Sequence, residues 1–428
     1  MRLIRILFWC LWLASASYGN VSEIYGTNGK GIALGNAMTA GGDGAFAAQS
    51  NPAALFEQKG SQVALGFNFN QLSLNDLSSL SQEDRSGLPA SPYRADKVDG
   101  ITGNSVGLNL ELSPVLRFGL SAYMPSGNFG KLVGVAPNDV HYLRGGDNQE
   151  RPAIYTALAA KYGKISLGLG SYYTLRAEGT LQMALNNEAS AARFALNMSP
   201  VMTPYGGILY RHNLESSTLS IGALYRGAQS TKSNIDTLLA VGAVGDNTSA
   251  TLPVQIQTSL VPFYDPEIIR MGFKLSKGHF KTYFTSELSR WSQYKAPLIE
   301  LKGADIASLT GLNERGSVTL QDTHAHKLGL AYLANSESNL EFRLGFEYHQ
   351  SATEGKAMGG IVDPERNVIA MGIGADIFKG MLLPGKSASL DVSYQKSILR
   401  DIEVNYGDSF ANAGGYVDTL VAGLTYEL

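Results

Sequence analysis

From residue 61 onward the chain sets bulky apolar residues at every second position and fills the places between with small, polar or charged ones. In 61–70, Val63, Leu65, Phe67 and Phe69 lie on one face, with Gln62, Ala64, Gly66, Asn68 and Asn70 on the other. A period of two is the signature of a β-strand. In 340–349, Leu340, Phe342, Leu344, Phe346 and Tyr348 alternate with Glu341, Arg343, Gly345, Glu347 and His349. A charged row beside a row of large apolar groups is tolerable only if it faces a watery or self-paired lumen while the other row faces hydrocarbon. Such segments reach the roughly 9–11 residues that a tilted strand needs to cross a bilayer. A soluble sandwich or propeller buries its apolar face, presents a polar outer one and keeps its loops short. The pattern therefore predicts an all-β transmembrane antiparallel barrel.

The same pattern recurs in 105–112, 116–124, 154–162, 165–175, 219–225 and the final strand, where Leu420, Ala422, Leu424, Tyr426 and Leu428 share a face. Counting such segments gives about 14 strands, an even number as single-chain bacterial barrels require. Short connections fall near 113, 163, 214, 277, 336 and 383. Long ones span roughly 71–102, 126–149, 177–200, 228–263, 292–321, 351–365 and 400–414. Short turns belong on the periplasmic side and long loops outside, which puts both termini in the periplasm. No second domain or sequence repeat beyond the hairpin is evident.

The N-terminus reads as a secretory signal. Arg2 and Arg5 precede an apolar run over 6–13 and the small residues Ala14, Ser15 and Ala16, so residues 1–16 are expected to be removed. The only cysteine, Cys10, leaves with them, which excludes disulfides and cysteine catalysis from the mature chain. Losing two arginines moves the net charge from -3 to -5, and nucleic acid has no basic footprint to meet. Beyond the signal, no stretch holds the roughly 18 continuous apolar residues of a membrane helix.

Between signal and barrel, residues 17–60 are rich in Gly, Ala, Asn and Ser. They offer little bulk for a core of their own and need surrounding walls to satisfy their backbone. The motifs here are ALGNAMTAGG and SNPAAL, and three further pieces follow: LRFGLSAYMPSGNFG at 116–130, SELSRWSQY at 286–294 and RLGFEYHQS at 343–351. Together they resemble the FadL-type outer-membrane transporters of long-chain fatty acids and other hydrophobic compounds. The match runs with gaps from the hatch to the C-terminus, and NPA is its most specific part. Three departures are Ala54 where the family's usual motif is NPAG, an upstream Asp43 about one position off the expected spacing, and a terminal Leu428 in place of an aromatic residue.

The resemblance implies that 17–60 form a hatch inside the barrel of 61–428, and that ligand leaves sideways through a gap beside a kinked third strand. On this chain Asn51, Pro52 and Ala53 would gate that exit and face a bend around Gly119 and Pro125. It also implies passive uptake of a long-chain fatty acid or similar hydrophobic small molecule, from the loops through a lumenal site into outer-membrane lipid. The protein would act as a monomer without a cofactor. A fatty acid needs an apolar slot for its tail and a cation for its carboxylate. Strand direction and alternation make Arg176, Arg226 and Arg270 the inward-facing candidates near the outer end, and each also has the alternative of pairing with a neighbouring carboxylate. The apolar loop clusters Leu132, Val133, Val135 and Leu238, Leu239, Val241, Val244 would offer a first collecting surface, or pack the loops together.

Two other functions stay open. A porin for small hydrophilic solutes would have an open lumen, which the hatch opposes. A lipid hydrolase would draw on Gly407-Asp408-Ser409, for which a polar loop tip is the plainer account. His324 and His326 project alike from one strand without an evident third metal ligand. Asp139, Asp147 and Glu150 fit either a divalent-ion site or a solvated loop.

Overall fold

The computed structural model describes residues 26–42, 44–58, 60–77, 100–126, 141–144, 152–185, 190–243, 250–294, 299–302, 319–335, 339–354, 361–379, 387–406 and 409–428. Fourteen strands form the barrel. They are β1 (Gln62–Leu74), β2 (Gly100–Ser113), β3 (Leu116–Pro125), β4 (Ala153–Tyr162), β5 (Ile165–Leu185), β6 (Ser190–Asn213) and β7 (Ser217–Arg226), followed by β8 (Glu267–Lys277), β9 (Phe280–Arg290), β10 (Thr323–Asn335), β11 (Leu340–His349), β12 (Arg366–Lys379), β13 (Ser387–Tyr406) and β14 (Ser409–Glu427). Each pairs antiparallel with its neighbours in sequence, and β14 returns to β1 from Gln62↔Glu427 to Leu74↔Gly415. Closure leaves the barrel itself no free edge, which is the condition for a sheet in hydrocarbon.

The alternation holds as read. On β1, Leu65, Phe67 and Phe69 are exposed while Ala64, Asn68 and Asn70 are buried. On β11, Phe342, Leu344, Phe346 and Tyr348 are exposed, and Glu341, Glu347 and His349 are buried. Exposed rings gather in two bands. Tyr162, Tyr210, Phe280 and Tyr332 lie near the short turns, and Tyr225, Tyr348, Tyr394 and Tyr416 lie farther along the strands. Aromatic girdles at both interfaces are what a membrane barrel places there. The exposed apolar groups are thus the lipid face, and the buried polar row is the lumen.

Three expected loops turn out to hold strand. The 177–200 connection is the continuation of β5 and β6, paired without interruption from Ile165↔Tyr210 to Leu185↔Ser190. Most of 400–414 is likewise the end of β13 and the start of β14. The 228–263 connection folds into a hairpin, Gln229–Ala243 and Ala250–Asp265. Its first strand runs parallel to the far end of β5, from Gly179↔Ile235 to Leu185↔Val241. The reason is that ladder hydrogen bonds need no hydrocarbon, so pairing continues beyond the span a bilayer requires. The loop calls on Leu132, Val133, Val135, Val244, Asp139, Asp147 and Glu150 lie outside the described residues, as do the signal residues.

Inside the wall, residues 26–58 fold as short helical turns. Helix α1 (Gly29–Ala33) is capped by Asn28, whose Oδ1 accepts from Gly31 N at 2.7 Å. Helix α2 (Ala47–Ser50) leads into a 3-10 turn, Pro52–Glu57, with proline at its first position and Asn51 as cap. Such short helices do not persist alone in water, and the barrel supplies their packing.

Candidate functional site: the hatch and the lumen around it

The wall holds the hatch by two devices, and both arise from the inward face of the strands. The first is hydrogen bonding from wall side chains to hatch carbonyls. Asn68 of β1 donates to Gly26 O (2.9 Å), Ser105 of β2 to Thr27 O (2.7 Å), and Asn109 of β2 to Leu55 O (3.0 Å). Tyr205 of β6 donates to Ala48 O (2.7 Å) and Ser393 of β13 to Gly29 O (2.6 Å). Lys274 of β8 binds Glu57 Oε2 at 2.8 Å, and Asn36 of the hatch donates to Glu347 Oε1 of β11 at 2.8 Å. The five bonds to carbonyls satisfy backbone groups that a segment this poor in regular structure cannot pair by itself.

The second device is the absence of side chains at wall glycines. A Cβ at Gly168 of β5 would lie 2.5 Å from Ala53 N, and one at Gly329 of β10 would lie 2.6 Å from Leu34 O. Hatch backbone therefore rests directly on strand backbone, a close approach that only glycine permits.

Asn51 is fully buried. Its Nδ2 donates to Thr39 O at 2.7 Å and lies 3.4 Å from both Ile208 O and Ala223 O, while its Oδ1 accepts from Ala53 N at 3.0 Å. Asn51, Pro52 and Ala53 consequently sit against β5, β6 and β7, at Gly168, Gly207 and Gly222. The expected position beside Gly119 and Pro125 is corrected. Gly119 does touch the hatch, but through Leu55 and Ala48, 2.7 and 3.0 Å from its virtual Cβ. The turn at Asn51-Pro52 points the motif away from β3 and delivers the following residues to it.

Strand β3 pairs with β2 up to Pro125 and with β4 from Leu116↔Ala160 to Tyr123↔Ala153. Around Gly119 the wall is continuous on both sides. Among the described residues, only the β2 side is paired past Tyr123, and Pro125 has no N–H to offer β4.

The three candidate cations have different settings. Arg176 lies on β5 opposite Ser199, and its side chain is outside the described residues. Arg226 is 2% exposed. Its guanidinium lies over the Tyr172 ring (5.1 Å to the centroid) and donates to Tyr155 OH at 3.4 Å and Pro266 O at 3.3 Å. Arg270 donates from Nε to Glu287 Oε2 at 2.7 Å, and the same oxygen takes Lys327 Nζ at 3.0 Å. Toward the short turns, Arg343 binds Glu341 at 2.7 Å and also Asp391, and Lys281 binds Glu341. The charged rows pair across strands, as a charged lumen wall needs. A polar cavity of about 380 Å³ lies beside them under α1, lined by Lys30, Lys274, Glu57, Glu341 and Asp391 among others.

Apolar groups the sequence reading did not single out form separate buried clusters. At the long-loop end, Trp291, Tyr294, Leu320, Ala352 and Ile361 form one buried cluster. Leu77, Tyr142, Val362, Val404 and Ala413 form a second. A third, of Leu72, Ile101, Tyr123 and Val417, reaches the upper end of β3. Tyr155, Tyr172 and Tyr205 then pack on Ala47, Ala48 and Leu55 of the hatch. The visible sequence signal was aromatic residues at inward positions of β3 to β6, where lumen faces are otherwise small or polar. His324 and His326 face outward and are exposed, and the side chain of Ser409 lies outside the described residues.

A closed barrel with an apolar outer face and a folded plug tied to its inner wall defines a plugged transmembrane β-barrel. Among solved structures this architecture is that of FadL-type outer-membrane channels. A FadL homologue from Pseudomonas aeruginosa aligns with TM-score 0.56 at 16% identity, covering 94% of this chain and 97% of its own. The toluene transporter TodX of P. putida aligns with TM-score 0.57 at 13% identity, covering 96% and 98%. The monoaromatic hydrocarbon channel CymD gives 0.53 at 16%, covering 96% of each chain. At these identities the likeness establishes the fold. The sequence matches no family model and no curated protein.

Proposed function

We propose that this protein is an outer-membrane channel through which hydrophobic small molecules enter by passive diffusion. It stands as a monomer with both termini in the periplasm. Ligand is caught among the apolar clusters at the long-loop end, moves along the aromatic inner face toward the hatch, and leaves sideways into lipid. The observation that carries this reading is the pairing of a plugged lumen lined by paired charges with apolar clusters at the long-loop end, one of which includes Tyr123 of β3. A hydrophilic solute gains nothing from such a path, whereas a hydrophobic one avoids both the charged lumen and the periplasm.

The exit belongs at the upper end of β3 rather than at Gly119. Support comes from the pairing beyond Tyr123, which among the described residues is to β2 alone, from Pro125, and from the apolar cluster of Leu72, Ile101 and Val417 beside Tyr123. Asn51, Pro52 and Ala53 act in this reading as the fixed side of the gate, with Ala48 and Leu55 as its face toward β3.

Ligand charge is the open choice between a long-chain fatty acid and a neutral hydrocarbon. Arg270 favours the neutral ligand, because Glu287 already occupies it. Arg176, Arg226 and Arg270 remain the cations to test. Binding of a radiolabelled long-chain fatty acid and of toluene to detergent-purified protein is compared, with each arginine changed to Ala. Saturable toluene binding that none of the changes weakens by more than about two-fold is expected. Fatty acid binding lost in one variant assigns the carboxylate site to that arginine, and binding of neither ligand overturns the channel reading.

A further inference from the structure

The hairpin of 229–243 and 250–265 stands on two feet, Arg226 at the end of β7 and Asp265 just before β8. Both feet hold the same side chain. Tyr172 OH donates to Asp265 Oδ2 at 3.0 Å, and the Arg226 guanidinium covers the Tyr172 ring while donating to Pro266 O. From Tyr172 the contact continues inward. Its ring stacks on Tyr155 with centroids 4.7 Å apart and planes at 18°, and Tyr155 meets Tyr205 edge-on at 5.7 Å and 89°. Tyr205 ends the column at the hatch, where its OH donates to Ala48 O at 2.7 Å. Arg226, Tyr172, Tyr155, Tyr205, Asp265 and Ala48 are all buried, none more than 5% exposed.

These groups come from five elements: β4, β5, β6, the hairpin with its feet, and the hatch. Ala47, Ala48, Leu55, Ala153, Ala157, Ala159 and Leu224 bury the rings in one cluster with them. Stacked and edge-on aromatic pairs hold a preferred mutual geometry beyond burial, and a close-packed interior passes displacement on rather than absorbing it. A shift of either foot bears on Tyr172, and through the ring contacts that displacement reaches Tyr205 and Ala48. Ala48 lies three residues before Asn51, within the hatch segment that faces β3.

We propose that Arg226, Tyr172, Tyr155 and Tyr205 form a column that couples the 229–265 hairpin to the hatch, so that loosening one end loosens the other. The inference rests on the channel reading only for its purpose. As a mechanical link it stands on the contacts alone. In a working channel, whatever engages the hairpin would alter closure of the hatch without touching it. The tyrosines and Arg226 are positioning residues in this scheme.

Amide hydrogen exchange of the folded protein in detergent, followed peptide by peptide, tests the link. Tyr205→Phe removes one hydrogen bond to the hatch and keeps the ring, and a bond worth about 1 kcal/mol corresponds to about five-fold faster exchange in 44–58. Asp265→Asn and Arg226→Met are expected to accelerate the same peptide, although both lie at the hairpin's feet. Tyr205→Phe is expected in turn to accelerate exchange in 229–243, because coupling free energy is reciprocal. The double variant Tyr205→Phe/Asp265→Asn should fall well short of the product of the single effects. Peptide 29–35, held by β13 through Ser393, serves as the unaffected control.

Acceleration of 44–58 by Tyr205→Phe with no change from Asp265→Asn or Arg226→Met overturns the proposal, as do effects that multiply independently. Should a foot variant fail to fold, Tyr172→Phe severs the Asp265 bond with the stack intact and decides the matter. Uptake of toluene into proteoliposomes is measured separately on the unaltered protein. Its absence together with reciprocal exchange effects refutes the channel reading and leaves the coupling standing.

Discussion

Single residues in this protein are chosen as much for what they omit as for what they contribute. Gly168 carries no side chain because Ala53 and Pro52 occupy the place where one would be. Gly168→Val is expected to displace the hatch at a cost of about 1–3 kcal/mol, the usual range for overpacking a filled interior. The measurement is single-channel conductance in a planar bilayer, where brief openings absent from the parent protein should appear. An unchanged, silent record would mean that the hatch yields without unsealing. Asn51 shows how far such a site can be read from sequence. Its burial and capping role follow from standing before a proline in a small-residue segment. Its neighbours do not, because Gly207 and Gly222 lie more than 150 positions away and nothing local specifies which strands the turn faces.

Among the elements, the strands were legible residue by residue, while the hatch was legible as a plug but not in its shape. Alternation fixes a strand's two faces residue by residue, and Leu65, Phe67 and Phe69 came out toward lipid as expected. Strand length was less legible: β5 and β6 reach 21 and 24 residues, because the crossing length sets a minimum and water sets no maximum. The hatch has no period to read. Its shape is imposed by wall donors such as Asn68, Ser105 and Ser393, spread from β1 to β13, so it is tertiary in origin. The barrel in turn closes through β1 and β14 without it. Deleting 26–58 is therefore expected to leave a folded, heat-modifiable barrel with a large, steady conductance. Loss of folding would show that the plug contributes to the wall as well as filling it.

For the whole molecule, the proposed transport follows from a lipid-facing exterior, a paired polar lumen and apolar clusters between the long-loop end and β3. Conductance and hydrophobic uptake are expected to be uncoupled. The intact protein should admit toluene into proteoliposomes while showing no sustained ion current, and the 26–58 deletion should reverse that balance. A sustained current from the intact protein would favour a hydrophilic pore. The apolar clusters were the least legible part of the candidate site, since they are assembled from Trp291, Leu320, Tyr142, Val362 and Val417, residues far apart in sequence. Arg226 and Arg270 were legible as inward-facing, but Tyr172 and Glu287, which occupy them, sit on other strands.

The seam between β1 and β14 sets an order of events during biogenesis. Residues 26–58 precede β1 directly, and they touch strands on both sides of that seam, Asn68 of β1 on one and Ser393 of β13 on the other. Wall glycines seat the hatch backbone so closely that a preformed plug has no clearance to slide in from an end. Gln62 meets Glu427 only when the last strand is in place, so closing this seam encloses a hatch that is already seated. Any factor that inserts this barrel has to keep the growing sheet open like a cupped hand, with the plug already resting in it.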